Sequence, residues 1–569
     1  MFIAADHVSL VQPLLERVRH EPERVAVILI ENDGSETSLT VGQLHSGACA
    51  FAQALHALGT TLGDIVLIAL PHSRSVLFAF WGTLYTGATA SIVPYQFPRI
   101  NPVSFGKQMR TLVERSGARA VITGPEYHTE LERSCADLNC RVLNHEEVST
   151  DKHMASAFQP KPRSTSGEQI AYLQYTSGTT GLQKGVMLSH RAILHFIPAI
   201  ANAFGMNTDD VMVNWTPLYH DGGLFVGFIM PLLVGIPAVM MSAFKWIRSP
   251  KTFFWAIHQH RGTVAWMPNS AFNHALHGLR ERDLEGVDLS SLRFVLSGGE
   301  TIFYTSQQKF FERFGCYGFP ETALATGYGF AENITAVTIS QPGTRAAVDW
   351  VDARALQQTQ QAIPGNPEEP GTIALVSCGR SIQGTEFRIL DDSGQELPER
   401  HVGEIVVQSD CLFHGYHGRP DLTAQAFQDG WFYTGDLGYI AEGQLYVCGR
   451  KKDLIITGAR NIYPDDLEAL ATTVLGIAPE RAVAFGIPDE ILGAERVVLV
   501  CELPRTVTEE EKRDLERTLR QRIFQEFDLT VDEVHLLSKR WIAKTPNGKI
   551  ARGANRAQYH TLGEGGAKR

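Results

Sequence analysis

The stretch YTSGTTGLQKGVMLSH, residues 175–190, sets four hydroxyl side chains and two glycines between Tyr175 and Lys184. Small polar residues let backbone N–H groups and hydroxyls close on a polyanion, and glycine removes the side chains that would keep it away. Lys184 then ends the loop with a full positive charge. The preceding EQIAYLQYT reads as a strand and the following SHRAILHFIPAIANAF as a helix, so the stretch predicts a strand–loop–helix phosphate cradle. It is not the P-loop of nucleoside triphosphatases, because Gly185 stands where that loop needs a serine or threonine.

Outward from this loop, short β-branched runs alternate with helical stretches. GDIVLIAL precedes SRSVLFAFWGTLYTG, and ARAVITG and LRFVLSGGE each precede polar helix starts. Strands interleaved with helices imply an α/β fold, with parallel-rich sheets covered by helices. Near residue 400 the pattern changes to short strands separated by Gly and Asp turns: GTEFRILDD, GEIVVQSD, GWFYTGDLGYI and GQLYVCGRKKDLIIT. They predict a small β-rich subdomain over about 385–450, within a large N-terminal domain at 1–452. Residues 453–569 read as a small, mobile α+β C-terminal domain. Its helix TEEEKRDLERTLRQRIFQEF opens with Thr508 and Glu511 at capping-box spacing and sets Leu515, Leu519 and Ile523 on one face.

Composition narrows the class. The chain has 569 residues, too many for one core, with 44% hydrophobic and 20% charged residues. The net charge of -11, without a Lys/Arg-rich block, argues against a nucleic-acid partner. The N-terminus has no basic leader, which predicts a cytoplasmic protein. The apolar run FIMPLLVGIPAVMMSAF is too short to span a bilayer and predicts a buried helix or strand. Eight cysteines lack any C-x-x-C pair, against structural zinc or a disulfide framework.

YTSGTTGLQKG resembles the phosphate loop of the adenylate-forming superfamily of acyl-CoA synthetases, peptide-synthetase adenylation domains and luciferases, and further motifs follow in that superfamily's order. GYGFAEN (327–333) is similar to the adenine- and magnesium-binding motif, YTGDLG (433–438) to the ribose-binding motif, GRKKDLIITGARNIYPDDLE (449–468) to the hinge, and KTPNGKIAR (544–552) to the C-terminal lysine motif. The resemblance implies activation of a carboxylate by ATP and Mg2+, giving an acyl-adenylate and pyrophosphate. It implies that Thr176, Ser177, Gly178, Thr179, Thr180 and Lys184 hold the β- and γ-phosphates. Gly298, Gly299 and Glu300 of LSGGE, with Tyr328 and Gly329, would form the adenine pocket. Glu332 and Thr176 would be metal ligands, Asp436 and Arg450 ribose ligands, Asp453 the hinge and Lys549 the catalytic cation.

Within the superfamily, NWTPLYHDGGLFVGFIMPLL (214–233), MPNSAFNHAL (267–276) and the hinge ending ARNIYPDDLE resemble fatty acyl-AMP ligases, as does an additional segment at 341–384. In that family the segment restrains the small domain and disfavours CoA, and the acyl group passes to the phosphopantetheine thiol of an acyl carrier protein. Polyketide or lipopeptide assembly is the expected setting. His220 would lie at the mouth of an acyl pocket formed by Tyr219, Gly222, Gly223, Phe228, Trp266 and Met267. Gly222 stands where the family usually has Met, which predicts a widened or reshaped tunnel; GFAEN and TPNGK also depart from the family pattern. Alternatives are an acyl-CoA synthetase, an amino-acid adenylation enzyme using Asp221 for the substrate amine, an inactive binding-only relative, and a luciferase-like oxygenase.

Overall fold

Val25–Ile30, Ala238–Met241, Met212–Asn214, Val264–Trp266, Phe294–Gly298 and Leu324–Tyr328 are runs of aliphatic and small residues, apolar on both faces as strands buried from both sides must be. They pair in parallel as the centre of a nine-stranded sheet, edged by antiparallel strands. The computed structural model describes residues 2–4, 6–95, 100–148, 166–175, 184–457, 460–489, 494–527, 529–538, 540–545 and 548–559. A seven-stranded sheet is also mostly parallel and carries Ile65–Ala69, Thr89–Ile92, Ala120–Thr123 and Ile170–Tyr175. One core joins the two, contributed by the helices Val41–Ala57, Arg74–Thr86 and His190–Ala203 and by the segment Gly222–Val234.

The strand and helix on either side of the opening loop are where the sequence predicts them, but the cradle differs. Between Lys184 and the helix lies a further strand, Gly185–Ser189, antiparallel to Ile170–Tyr175. The loop thus joins a hairpin and does not feed a helix N-terminus. GVMLS is apolar enough to pair, and the helix starts after it with Ser189 as its cap, accepting from the Ala192 N–H. The loop itself, 176–183, lies outside the described residues.

The apolar run near 230 is buried, as its composition requires. It forms a π-helix at Gly222–Ile229, then an α-helix at Met230–Val234 and the strand Ala238–Met241. The β-rich segment is a five-stranded antiparallel sheet of Thr385–Leu390, Gly403–Ser409, Phe427–Gln428, Trp431–Ala441 and Gln444–Arg450. Beyond it, Ala482–Asp489, Ala494–Glu502 and Glu533–Leu537 form a three-stranded sheet flanked by Pro464–Leu475 and Glu509–Phe527. The capping box is present: the Thr508 N–H donates to Glu511 at 2.8 Å, and the Glu511 N–H donates to Thr508 at 3.2 Å. Leu519 and Ile523 are buried in that core and Leu515 packs against it.

The additional segment is a hairpin, Val348–Asp352 with Thr372–Val376, carrying the short helix Ala353–Thr359. Ala353 lies in the same apolar cluster as Leu467 and Ile523. The Gly371 N–H donates to Glu526 at 2.7 Å, and Arg354 donates to the Gln525 carbonyl at 3.3 Å. Among the described residues no helix is long and apolar enough to cross a membrane.

Candidate active site

Asp436 and Arg450 lie on neighbouring strands in register, so their side chains meet. The Arg450 Nε is 3.2 Å from Asp436 Oδ1, and the Tyr328 hydroxyl donates to Asp436 Oδ2 at 2.7 Å. Tyr328 arrives from the last parallel strand of the large sheet, so two sheets converge on this carboxylate. Burial holds the Asp436 carboxyl above its ordinary range, although Arg450 and the tyrosine pull against it. Gly329 follows Tyr328 directly, and Gly298 pairs with Gly327 across the parallel strands.

Glu332 sits on a short 3-10 turn, Ala331–Asn333. Its Oε1 accepts from the Tyr416 hydroxyl at 2.7 Å, and the Lys184 ammonium lies 4.3 Å from the centre of the Tyr416 ring. Tyr416 is brought there by the pairing of Gly415–Tyr416 with the strand that follows Lys184. Burial raises the Glu332 carboxyl, with the Tyr416 bond, Lys184 and Arg450 opposing it. Tyr416 is a site residue that motif reading missed; its only sequence signal is a tyrosine after a glycine in HGYHGRP.

Lys549 lies far along the chain, yet its charge is coupled to Glu300, Asp221, Arg450 and Asp436. Burial lowers the Lys549 ammonium pKa and the three carboxylates partly restore it. The turn is closed by the Thr545 N–H donating to the Lys549 carbonyl at 2.7 Å and the Lys549 N–H donating to Thr545 Oγ1 at 3.2 Å. Glu300 accepts from the Ser270 N–H, and burial raises its carboxyl. Burial also acts to raise Asp221, but His220, the Gly222 N–H and Lys549 outweigh it and hold the group below its ordinary value. His220 Nδ1 is 2.8 Å from Asp221 Oδ1. Asp453 pairs with Arg552 at 3.1 Å, and the same guanidinium reaches Asp465 at 2.6 Å and Glu468 at 2.8 Å.

The six residues expected around an acyl chain do not all fall together. Tyr219 accepts through its carbonyl from Gln174 at 2.9 Å. Trp266 and Phe228 belong to the core between the two large sheets, whereas Met267 packs in a separate cluster with Phe253, Phe272 and Val295. At Gly222, where a widened or reshaped tunnel is expected, the room a side chain would take is filled by the Trp266 ring. A Cβ there would lie 2.8 Å from the Trp266 ring, and one at Gly223 would lie 2.2 Å from the Pro217 carbonyl oxygen. A side chain at Gly222 would have to displace the Trp266 ring, and one at Gly223 would meet main chain. Thr176, Ser177, Gly178, Thr179 and Thr180 lie outside the described residues.

Known proteins resemble this chain over most of its length. The model of the family described as AMP-binding enzyme matches residues 14–417. The medium-chain-fatty-acid–[acyl-carrier-protein] ligase JamA of Moorena producens is 30% identical, over 97% of this chain and 95% of its own. The long-chain-fatty-acid–AMP ligase FadD26 of Mycobacterium bovis is 30% identical, over 97% of both chains. A solved structure from work on fatty acyl-adenylate ligases of E. coli and L. pneumophila superposes with a TM-score of 0.87 at 28% identity, covering 99% of each chain. With its core motifs in order and a family match over most of its length, the chain belongs to the AMP-binding enzyme family.

Proposed function

We propose that the protein is an ATP- and Mg2+-dependent fatty acyl-AMP ligase that loads an acyl carrier protein. The observation that carries the reading is Lys549: a cation from the end of the chain stands among Asp221, Glu300, Asp436 and Arg450, which come from three other parts of it. The names of the relatives, one a ligase to an acyl carrier protein and one a fatty-acid–AMP ligase, agree with it.

In this reading Asp436 accepts from the ribose hydroxyls. A carboxylate offers about four lone-pair positions, and Tyr328 and Arg450 take only part of them. Tyr328, Gly329, Gly298, Gly299 and Glu300 border the adenine. Lys184 and the loop before it hold the outer phosphates, and Glu332 and Thr176 are the residues that would hold the metal. The donor set suits Mg2+, which takes one or two carboxylates plus phosphate oxygens and keeps its waters; among the described residues there is no cluster of three His, Cys, Asp or Glu side chains. When bound, the ion neutralises phosphate charge. Lys549 steadies the charge that builds as a carboxylate oxygen attacks the α-phosphorus, the bond to the β-phosphate breaks and pyrophosphate leaves. His220 stands near the entering carboxylate. A phosphopantetheine thiolate then attacks the acyl carbon and AMP departs. The chain would act in the cytoplasm, its C-terminal part turning about Asp453 between the two steps.

The test is a panel of carboxylates with ATP and Mg2+, read as acyl-AMP by mass spectrometry, followed by CoA or a phosphopantetheinylated carrier. Fatty acyl-AMP and a carrier thioester are expected. Lys549→Ala is expected to lose about 100-fold or more in acyl-AMP formation, the scale for removing a preorganised charge-stabilising donor, with an unchanged circular dichroism spectrum. Undiminished adenylation by that variant, or activation of amino acids in place of fatty acids, would overturn the reading.

A further inference from the structure

Two carboxylates flank Lys549, and each has a glycine as its chain neighbour: Gly222 follows Asp221, and Gly299 precedes Glu300. One indole lies against both glycines. A Cβ at Gly222 would meet Cη2 and Cζ3 of Trp266 at 2.8 Å, and one at Gly299 would be 3.9 Å from Cζ2. Trp266 ends the strand Val264–Trp266, is 7% exposed and pairs in register with Leu296. The volume given up by the missing side chain at Gly222 is therefore occupied by the benzo ring, and the glycine and the tryptophan form a size exchange.

The start of the helix beside the ring, at Gly222, is itself tightly packed. At the next position, the place of a Cβ on Gly223 is already taken by the carbonyl oxygens of Pro217 and Thr216, at 2.2 and 2.7 Å. The main chain at the start of this helix is close-packed and does not compress. A carboxylate held at Lys549 would start its chain beside the two glycines that this ring lies against.

We propose that Trp266 is the specificity-determining residue for the acyl group: its indole walls the pocket just beyond the carboxylate site, so the enzyme activates short and medium linear acids in preference to long-chain ones. This rests on reading the site as that of a fatty acyl-AMP ligase. An open apolar pocket separates acids differing by one methylene by only about 10- to 200-fold, whereas a fixed wall rejects what does not fit. Trp266 acts on which acid is bound, and a changed order of preference among acids distinguishes it from a residue that merely holds the fold.

The experiment measures kcat/KM for hexanoate, octanoate, dodecanoate and palmitate, and KM for ATP, with the full chain carrying Trp266, Trp266→Ala or Trp266→Leu. The leucine variant keeps an apolar side chain in place, should the alanine cavity unfold the protein. The expected result is an octanoate preference over palmitate of about 10-fold or more in the unmodified chain, shifted about 10-fold toward palmitate in a variant, with KM for ATP unchanged. Equal use of octanoate and palmitate by the unmodified chain, or an unmoved ratio in both variants, overturns the assignment of Trp266 and leaves the ligase reading standing. Absence of acyl-AMP from every acid in the unmodified chain overturns both, and is told apart because the Trp266 chain itself is then silent.

Discussion

Tyr416 touches two charged groups at once. Its hydroxyl donates to Glu332 at 2.7 Å while Lys184 lies 4.3 Å from its ring centre. The two contacts separate by substitution. Tyr416→Phe keeps the ring beneath the ammonium and loses only the bond to the carboxylate; a hydrogen bond to a charged group contributes about 1.5–3 kcal/mol. The Mg2+ concentration for half-maximal adenylation is expected to rise about 10-fold. Tyr416→Leu also removes the ring, and KM for ATP is expected to rise with it, because cation–π attraction adds about 0.5–2 kcal/mol. Magnesium and ATP titrations of pyrophosphate release check both; an unchanged Mg2+ midpoint in Tyr416→Phe would show that Glu332 is positioned by other groups.

At the level of the element, the π-helix Gly222–Ile229 is the least predictable part of the site. It packs tightly on the segment just before it: a Cβ on Gly223 would lie 2.2 Å from the Pro217 carbonyl oxygen, and one on Gly227 would lie 2.2 Å from the Asn214 amide. Gly223→Ala places a methyl group where that carbonyl stands. Overpacking of this kind costs about 1–3 kcal/mol. The apparent unfolding temperature in a thermal melt is expected to fall by a few degrees, together with adenylation. Sequence reading reached those elements whose cause is local. The β-branched runs at Ile65–Ala69 and Phe294–Gly298 are strands, and Thr508 and Glu511 cap their helix by their own spacing. It missed elements whose cause is tertiary. Gly185–Ser189 is a strand because Ile170–Tyr175 is there to pair with, and Trp266 sits over Gly222 because a strand and a helix are brought together by the sheet. Motifs likewise named Asp436, Arg450 and Glu332, whereas Tyr416 belongs to no pattern until its strand pairs beside Lys184.

Across the whole molecule, the C-terminal part carries a buried carboxyl that titrates. Asp466, on the helix Pro464–Leu475, has its carboxyl pushed from an ordinary value of 3.8 up to about 8, by burial first and by Asp465 second. A folded-state pKa raised in this way gives stability that is full below the unfolded value and is lost as pH rises through the folded one. Unfolding temperature is therefore expected to fall from about pH 4 to about pH 8, and Asp466→Asn, which stays neutral, is expected to flatten that slope. Differential scanning fluorimetry at pH 6 and pH 9 decides it: parallel declines in both proteins would exclude Asp466 as the cause. The additional hairpin bears on the same region, since Ala353 and the Gly371 N–H pack and bond to it directly.

Arg552 joins Asp453, Asp465 and Glu468 only a short step along the chain from Lys549. An unrestrained lysine keeps about 2 kcal/mol of rotamer freedom that must be surrendered each time it grips a ligand. Mooring the neighbouring backbone to an acidic triad leaves that side-chain freedom in place but orders the main chain that carries it when the polypeptide folds. On the proposed reading, an incoming nucleotide would meet a lysine whose main chain is already anchored, and less backbone disorder would have to be quenched at each turnover.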